Sequence, residues 1–185
     1  MELRQMMSAT RTRIAKVVDG ITRFAKLERV IAAVCLFIPA FLIYYDNGHI
    51  RDSISAYYNM QKDQMFYFPL TVASMLFVVN GVVKEGHVYN SFLGLMLAGV
   101  ILCNMNDAKV AHYIFATAFF GGNAFVILVF STKKELWFKA LLVAGIALSM
   151  LGCFVFGWFT LFWAEWFSFA LIALHYILES WGAID

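Results

Sequence analysis

Hydrophobic residues in this chain form six long blocks separated by short polar segments. A helix that crosses a bilayer needs about 20 mostly apolar residues, so the first and third blocks are short for a span. The pattern predicts an all-α membrane protein with a bundle of about six transmembrane helices; four or five spans, with one short block forming a re-entrant hairpin, is the alternative. The blocks lie near Val30–Tyr45, Phe66–Val83, Tyr89–Cys103, Val110–Phe130, Leu136–Trp158 and Leu161–Trp181.

The connectors and the composition support the same class of fold. Three connectors, Lys84–Val88, Asn104–Lys109 and Ser131–Glu135, are short enough to make the helices that they join antiparallel neighbours. Hydrophobic residues make up 62% of the chain and charged residues 14%. An ordinary soluble domain has about 45–50% apolar and about 25% charged residues, so that class is excluded.

The segment Thr10–Arg29 precedes the first block and has a different pattern. Apolar residues such as Ile14, Val17 and Ile21 recur there at helical spacing, with basic residues between them. This predicts an amphipathic helix that lies in the headgroup region and binds anionic lipid headgroups. The chain therefore divides into a basic amino-terminal helix, residues 1–29, and a transmembrane bundle, residues 30–185. Recruitment of a soluble cytoplasmic partner is an alternative role for this helix, whereas no nucleic-acid motif accompanies it.

The distribution of basic residues predicts the orientation of the bundle. Of the 14 Lys and Arg residues, all except Arg51, Lys62 and Lys109 fall on one side if every block spans. The positive-inside rule then places both termini in the cytoplasm and the protein in the cell (inner) membrane. Tryptophans near the predicted helix ends form an interfacial aromatic belt. They are Trp137, Trp158, Trp163, Trp166 and Trp181.

Polar residues near the outer ends of the blocks form the first candidate site. Polar groups at membrane depth are costly, and Glu165 between two tryptophans needs a partner. Helices four and six both enter from outside, so His112 and Glu165 are expected at similar depth. The first loop and the connector after the third block lie on the same side. The predicted outward-facing cluster is Asp52, Ser53, Asp107, His112 and Glu165.

A second set of polar residues lies deeper in the predicted bundle. Asn80, Asn123 and His175 each lie roughly 20 Å from the outer ends of helices two, four and six. This predicts a structural layer of interhelical hydrogen bonds, which contribute about 0.6–2 kcal/mol each in membranes. The cysteines Cys35, Cys103 and Cys153 lie inside apolar blocks without metal-ligand spacing, so neither a bound metal nor another cofactor is predicted.

The loop Asp52-Ser53-Ile54-Ser55-Ala56-Tyr57-Tyr58 resembles the Ser-Ile-Ser-x-Tyr-Tyr loop of uncharacterised bacterial six-helix membrane proteins. The polar turn after helix three, the histidine that opens helix four and the Trp-x-Glu of helix six occur in the same order. The plan also resembles, more distantly, the damage-regulated autophagy modulator group and relatives implicated in lipid remodelling. The resemblance implies the architecture and a shared outer polar site around Ser53, Asp107, His112 and Glu165, but no reaction.

Three classes of function are compatible with these features. The first is a non-enzymatic membrane protein that binds lipid or senses the state of the bilayer, and it is the one that we favour. The second is an intramembrane metal-dependent hydrolase, since His49, Asp52, Asp107, His112 and Glu165 include zinc-ligand types. The third is an oligomeric channel or transporter, although no block has a repeated polar stripe. The apolar exterior is also compatible with homo-oligomers.

Overall fold

The computed structural model describes residues 27–84, 87–130 and 135–184. Within these ranges the chain forms α-helices and no β-strand, which confirms the predicted all-α class. The predicted amphipathic helix over Thr10–Arg29 lies outside the described residues, apart from its last three, which begin the first helix. The helices are α1 (Leu27–Tyr45), α2 (Gln64–Val83), α3 (Val88–Leu102), α4 (Lys109–Val129), α5 (Leu136–Phe154) and α6 (Leu161–Ser180). A 3₁₀ turn covers Ser55–Asn59.

Five of these helices are long and apolar enough to cross a membrane, namely all except α3. The first block was expected to be short, but α1 has 19 residues, because its described part includes three residues before the apolar block. Helix α3 has 15 residues, in agreement with the short third block, and is one continuous helix rather than a hairpin.

The outer surface of the helices is strongly apolar. Phe37, Phe68, Val82, Leu95 and Ile114 each expose more than half of their surface, and they lie on four different helices. A monomer in water rarely exposes so much contiguous apolar surface, whereas a bilayer covers it at no cost. Together with the five span-capable helices, this surface indicates an integral membrane protein.

The helices form a ring in which each helix packs on its neighbours in the chain and α6 packs back on α1. The ring is filled mainly by aromatic and aliphatic side chains, and Phe77 of α2 contacts both Phe119 of α4 and Tyr176 of α6. Helices α4 and α5 have the least contact of the neighbouring pairs. This looser packing leaves space between them, which is described below.

Left-handed backbone conformations follow the ends of three helices, α1, α5 and α6, the last of them at Gly182 with a φ of 64°. Asn47 and Gly48 have φ angles of 57° and 83°, and the Gly48 N–H donates to the Ile43 carbonyl at 2.8 Å. Gly157 has a φ of 61°, and the N–H of Trp158 then donates to the Gly152 carbonyl at 3.0 Å. Helix α5 therefore ends at Phe154, four residues earlier than the apolar block suggests.

The two ends of the bundle differ in chemistry. The loop between α1 and α2 and the N-termini of α4 and α6 lie at one end, here called the first-loop end. The start of α1 and the C-terminus of α6 lie at the other, here called the Lys84 end, because Lys84 contacts Glu28 and Glu179 there. The count of basic residues predicts that the first-loop end faces outside.

Cysteine labelling on intact cells would check this orientation. In a background with Cys35, Cys103 and Cys153 replaced by alanine, we expect Asn59→Cys to react with a membrane-impermeant thiol reagent. Ala183→Cys, at the opposite end, should react only after the membrane is permeabilised. Both positions are exposed in the fold, so a difference between them reports sidedness rather than burial. The reverse pattern would reject the predicted orientation.

Candidate functional site

The first loop folds across the N-terminus of α6. The N–H of Phe162 donates to the carbonyl of Asp52 at 2.7 Å, and the N–H of Ile54 donates to Oε2 of Glu165 at 2.6 Å. These two bonds satisfy a free amide at the start of the helix and a buried amide of the loop. They also fix Ser53, the residue between their two loop partners, against the helical bundle.

The loop is stabilised by its own polar contacts. The Arg51 guanidinium donates two hydrogen bonds to the carboxylate of Asp46, at 2.6 and 3.1 Å, and lies 5.8 Å from the ring centre of Tyr57. The hydroxyl of the fully buried Tyr57 donates to the carbonyl of His49 at 2.8 Å. The hydrogen bond from Arg51 holds the pKa of Asp46 below its ordinary value.

Replacing Asp46 with asparagine should therefore lower the free energy of unfolding by about 1 kcal/mol at pH 7, because the pair is bidentate but partly exposed. A depressed carboxyl pKa gives stability that is present above the unfolded pKa, about 4, and is lost as the pH falls through the folded pKa. The difference between Asp46→Asn and the parent protein should thus shrink below about pH 4. Thermal unfolding in detergent across pH 3–7 would measure it, and a constant difference would contradict the ion-pair account.

Glu165 lies one turn into α6 and is 6% exposed. Among the described residues its carboxylate accepts a single hydrogen bond, the one from Ile54 to Oε2. No Lys or Arg lies among the described residues that line the cavity beside it. Glu165 is therefore a buried acceptor without a neighbouring cation in that lining.

His112 lies in the first turn of α4 and is 3% exposed. Its Nδ1 lies 2.7 Å from the carbonyl oxygen of Cys103, and because a carbonyl only accepts, Nδ1 carries the proton. In the neutral ring Nε2 is then a hydrogen-bond acceptor. The end of α3 thus fixes the tautomer of a histidine at the start of α4.

Two serines of the loop lie in the same region. Ser53 is buried, and its hydroxyl oxygen accepts a hydrogen bond from the N–H of Ala56 at 3.0 Å, which leaves its O–H able to donate. Ser55 is 7% exposed, and its hydroxyl has no hydrogen-bond partner among the described residues. Ser55 was not singled out in the sequence, although it follows Ser53 at a spacing of two.

Ser53, Ser55, His112 and Glu165 line one end of a cavity of about 350 Å³. The remaining walls are mainly apolar and come from α4 and α5, from Ala116 to Ala124 and from Val143 to Phe154. Along α4 the lining extends from residue 112 to residue 124, which is about 18 Å at ~1.5 Å per residue. The exposed lining residues Thr117, Gly121 and Ala147 border the opening between α4 and α5. The cavity is long, mainly apolar and polar at one end.

The structure brings together three of the five residues predicted for the outer cluster. Asp52 is exposed and contributes its backbone carbonyl to α6, while Asp107 is exposed and accepts a hydrogen bond from Nδ2 of Asn104 at 2.6 Å. Neither residue lines the cavity. Both belong to turns at the surface, whereas Ser53, His112 and Glu165 face the same space.

The three residues predicted for the deeper polar layer are all buried, but their side chains have different partners. Oδ1 of Asn80 accepts a hydrogen bond from Nδ2 of Asn90 at 2.6 Å, and the hydroxyl of Tyr176 donates to Asn90 at 2.8 Å. Asn123 donates to the Phe119 carbonyl of its own helix at 2.8 Å. His175 lies 3.9 Å from Oε2 of Glu179, one turn further along α6. The interhelical network therefore runs through Asn80, Asn90 and Tyr176.

A charged cluster at the Lys84 end was missed in the sequence. The Lys84 ammonium donates hydrogen bonds to the buried carboxylates of Glu28 and, at 2.9 Å, Glu179. Burial lowers the pKa of Lys84, but the bonds to the two carboxylates raise it by more, so the lysine is charged at neutral pH. Nδ1 of His87 lies 3.7 Å from Glu179, and burial lowers the pKa of this histidine. The cluster joins α1, α2 and α6.

Within the described ranges, no group of three or more His, Cys, Asp or Glu side chains is placed to hold a metal ion. The zinc-ligand types proposed from the sequence are separated, because Asp52 and Asp107 lie at the surface and His49 lies in the first loop, where Nδ1 is 2.7 Å from the Asp46 carbonyl. The described residues thus give the metal-dependent hydrolase no ligand set.

The helices and the cavity define an integral membrane protein with several span-capable helices and an interior site that is polar at one end. The chain belongs to DUF7103, a family of unknown function, whose model matches residues 37–180. Searches of curated proteins and of solved structures each find no match. The bacterial origin and the loop motif of the resembled family, and the more distant resemblance to the autophagy modulator group, stay predictions.

Proposed function

We propose that this protein is a non-enzymatic lipid-binding membrane protein that takes one lipid chain into the cavity between α4 and α5. The observation that supports the proposal is the form of the cavity, an apolar channel about 18 Å long with Ser53, Ser55, His112 and Glu165 at one end. A lipid has a matching arrangement, because its long apolar chain is joined to a polar headgroup at one end. The first-loop end faces outside in the predicted orientation, so the lipid comes from the outer leaflet.

The dimensions fit a single chain. Cavities that bind small molecules commonly have volumes of about 300–1,000 Å³, and the volume of this cavity, about 350 Å³, lies near the lower limit of that range. Half of a bilayer's hydrocarbon core is about 15 Å thick, which is close to the length of the cavity along α4. A second chain of the same lipid would lie outside the cavity against the apolar surface of the bundle.

The basic segment before α1 has a separate role in this proposal. It binds the anionic headgroups of the cytoplasmic surface and holds that end of the bundle at the interface. Lipid binding by the cavity and surface binding by this segment take place on opposite sides of the membrane, so the two interactions are independent.

The test is to fill the cavity and measure the lipid that is retained. Ala147 is an exposed residue of α5 that lines the opening, so Ala147→Phe places a ring in the path of the chain. We expect the parent protein to retain about one lipid per chain through purification in a mild detergent, and Ala147→Phe to retain at most a tenth of that. Native mass spectrometry would count the lipid molecules bound per protein.

A matched control makes the result specific. Ala40 is an exposed residue of α1 that does not line the cavity, and Ala40→Phe should keep the retained lipid of the parent. Equal retention by the parent, Ala147→Phe and Ala40→Phe would show that the lipid is bound elsewhere on the apolar surface, and the proposal would fail.

A further inference from the structure

We infer that the polar end of the cavity selects a phospholipid with a primary amine, such as phosphatidylethanolamine. This inference rests on the proposed lipid-binding function and names the class of headgroup. It follows from the hydrogen-bonding groups that face the cavity and from the positions of the charges around it.

The deep part of the polar end supplies hydrogen-bond acceptors. The Glu165 carboxylate is 6% exposed, and among the described residues it accepts only the bond from Ile54 to Oε2, so Oε1 has no donor there. Nδ1 of His112 is bonded to the Cys103 carbonyl, so in the neutral ring Nε2 is the acceptor that remains for a ligand. Among the described residues neither of these two acceptors has a donor from the protein, so both favour a ligand that donates, while the hydroxyls of Ser53 and Ser55 at the same end remain able to donate to the ligand.

An ammonium group satisfies these acceptors better than a neutral donor does. It carries three N–H donors, and its positive charge favours ionisation of the buried Glu165 carboxyl, which has no Lys or Arg among the described lining residues. A quaternary trimethylammonium carries the same charge but has no N–H to donate. The site should therefore distinguish ethanolamine from choline, whose headgroups differ only in methylation of the nitrogen.

A cation beside the cavity provides a partner for the phosphate of the proposed lipid. Nζ of Lys109 lies 5.9 Å from the ring centre of Tyr113, and Tyr113 lines the cavity one turn along α4 from Lys109. Lys109 is exposed, so its ammonium can contact a phosphate at the membrane surface. An acceptor pair inside the cavity and a cation at its edge match the two charges of a zwitterionic headgroup.

An anionic headgroup is a poor match for the same arrangement. Phosphatidylglycerol carries the same phosphate as phosphatidylethanolamine, so its contact with Lys109 would be similar. Its headgroup offers hydroxyl donors, but it has no positive charge to place beside Glu165. Its net negative charge opposes ionisation of the buried Glu165 carboxyl, whereas an ammonium favours it. The expected order of affinity is phosphatidylethanolamine first, with phosphatidylcholine and phosphatidylglycerol both well below it.

The experiment is a native mass spectrometry titration of the full chain with these three lipids, each with the same two acyl chains. For the parent protein we expect at least a tenfold preference for phosphatidylethanolamine over phosphatidylcholine. Glu165→Gln keeps an oxygen to accept from Ile54 but loses the charge, and we expect it to reduce the preference to twofold or less. Lys109→Met should weaken binding of both lipids by a similar factor, because both carry the phosphate.

Two further comparisons distinguish an error in the headgroup assignment from an error in the proposed lipid-binding function. Soluble phosphoethanolamine carries the same headgroup without a chain, and it should not displace the lipid; displacement at equal concentration would overturn the assignment to a lipid. If phosphatidylcholine binds as tightly as phosphatidylethanolamine and Ala147→Phe blocks both, the amine selection is wrong while the lipid-binding cavity stands. If neither lipid binds above the level of Ala147→Phe, the proposed function itself is wrong.

Discussion

Replacing Lys84 with methionine is expected to lower the free energy of unfolding by about 2–3 kcal/mol, because two buried carboxylates lose their shared cation. The side chains of Glu28 and Glu179 are 8% and 7% exposed, and both bond to the Lys84 ammonium. Removing one member of a buried ion pair costs about 3–5 kcal/mol. Lys84 is 39% exposed, so water weakens the interaction and the smaller value applies. Thermal unfolding in detergent would measure the loss.

Two variants show whether the loss arises from the charges. Lys62→Met removes an exposed lysine at the first-loop end and should change stability by no more than about 0.5 kcal/mol. The triple variant Glu28→Gln, Lys84→Met and Glu179→Gln leaves no uncompensated charge, and it should regain at least half of the stability lost by Lys84→Met. If the triple variant is no more stable than Lys84→Met, repulsion between unpaired carboxylates is not the cause.

Glu165→Leu is expected to cost about 2–3 kcal/mol and to release the first loop from α6. The leucine cannot accept the hydrogen bond from the N–H of Ile54, a residue that is 4% exposed. A buried donor left without a partner costs about 1–3 kcal/mol. Thermal unfolding would report the stability, and limited proteolysis between residues 46 and 63 would report the loop.

Glu165→Gln is the matched variant, because its side-chain carbonyl can still accept from Ile54. We expect it to retain most of the stability and the protection of the loop, while Glu165→Leu loses both. Equal destabilisation by glutamine and leucine would mean that the hydrogen bond to Ile54 is not what holds the loop in place.

The helices could be read from the sequence with little error, because long apolar runs and short polar connectors leave few alternatives in a membrane. The errors lie at helix ends and have local or tertiary causes. Helix α5 ends at Phe154 since Gly157 adopts a left-handed conformation inside an apolar run. Helix α1 includes Leu27, Glu28 and Arg29 ahead of the apolar block, and there Glu28 is buried against Lys84, a contact 56 residues away along the chain.

The candidate site could be predicted only in part. Depth along the helices placed His112 and Glu165 near each other, since both begin helices at the same end of the bundle. The cavity that they share depends on the loose packing of α4 on α5, which no residue pattern indicates. The positions of Asp52 and Asp107 depend on loop conformation, and both side chains turned out to be exposed.

The sequence contains a signal for the contact between Asn80 and Asn90 that a comparison of depth along the helices does not use. Asn80 and Asn90 lie at nearly equal distances from the turn between α2 and α3, so two antiparallel helices must bring them close together. Comparing residues by depth alone paired Asn80 with Asn123 and His175 instead. Pairing residues by their distance from a short connector predicts the observed contact between Asn80 and Asn90.

Helix α3 has a consequence for the membrane around the protein. Its 15 residues span about 22 Å, whereas the hydrocarbon core of a typical bilayer is about 30 Å thick. Where such a short span is accommodated by local thinning, we expect the bilayer to be deformed on the α3 side of the ring more than on the other. Helix α4 is the neighbour of α3 and forms one wall of the cavity opening. If the cavity takes up a lipid chain as proposed, the lipids at that opening are the ones whose packing such thinning disturbs, which lowers the cost of withdrawing one chain from the bilayer there.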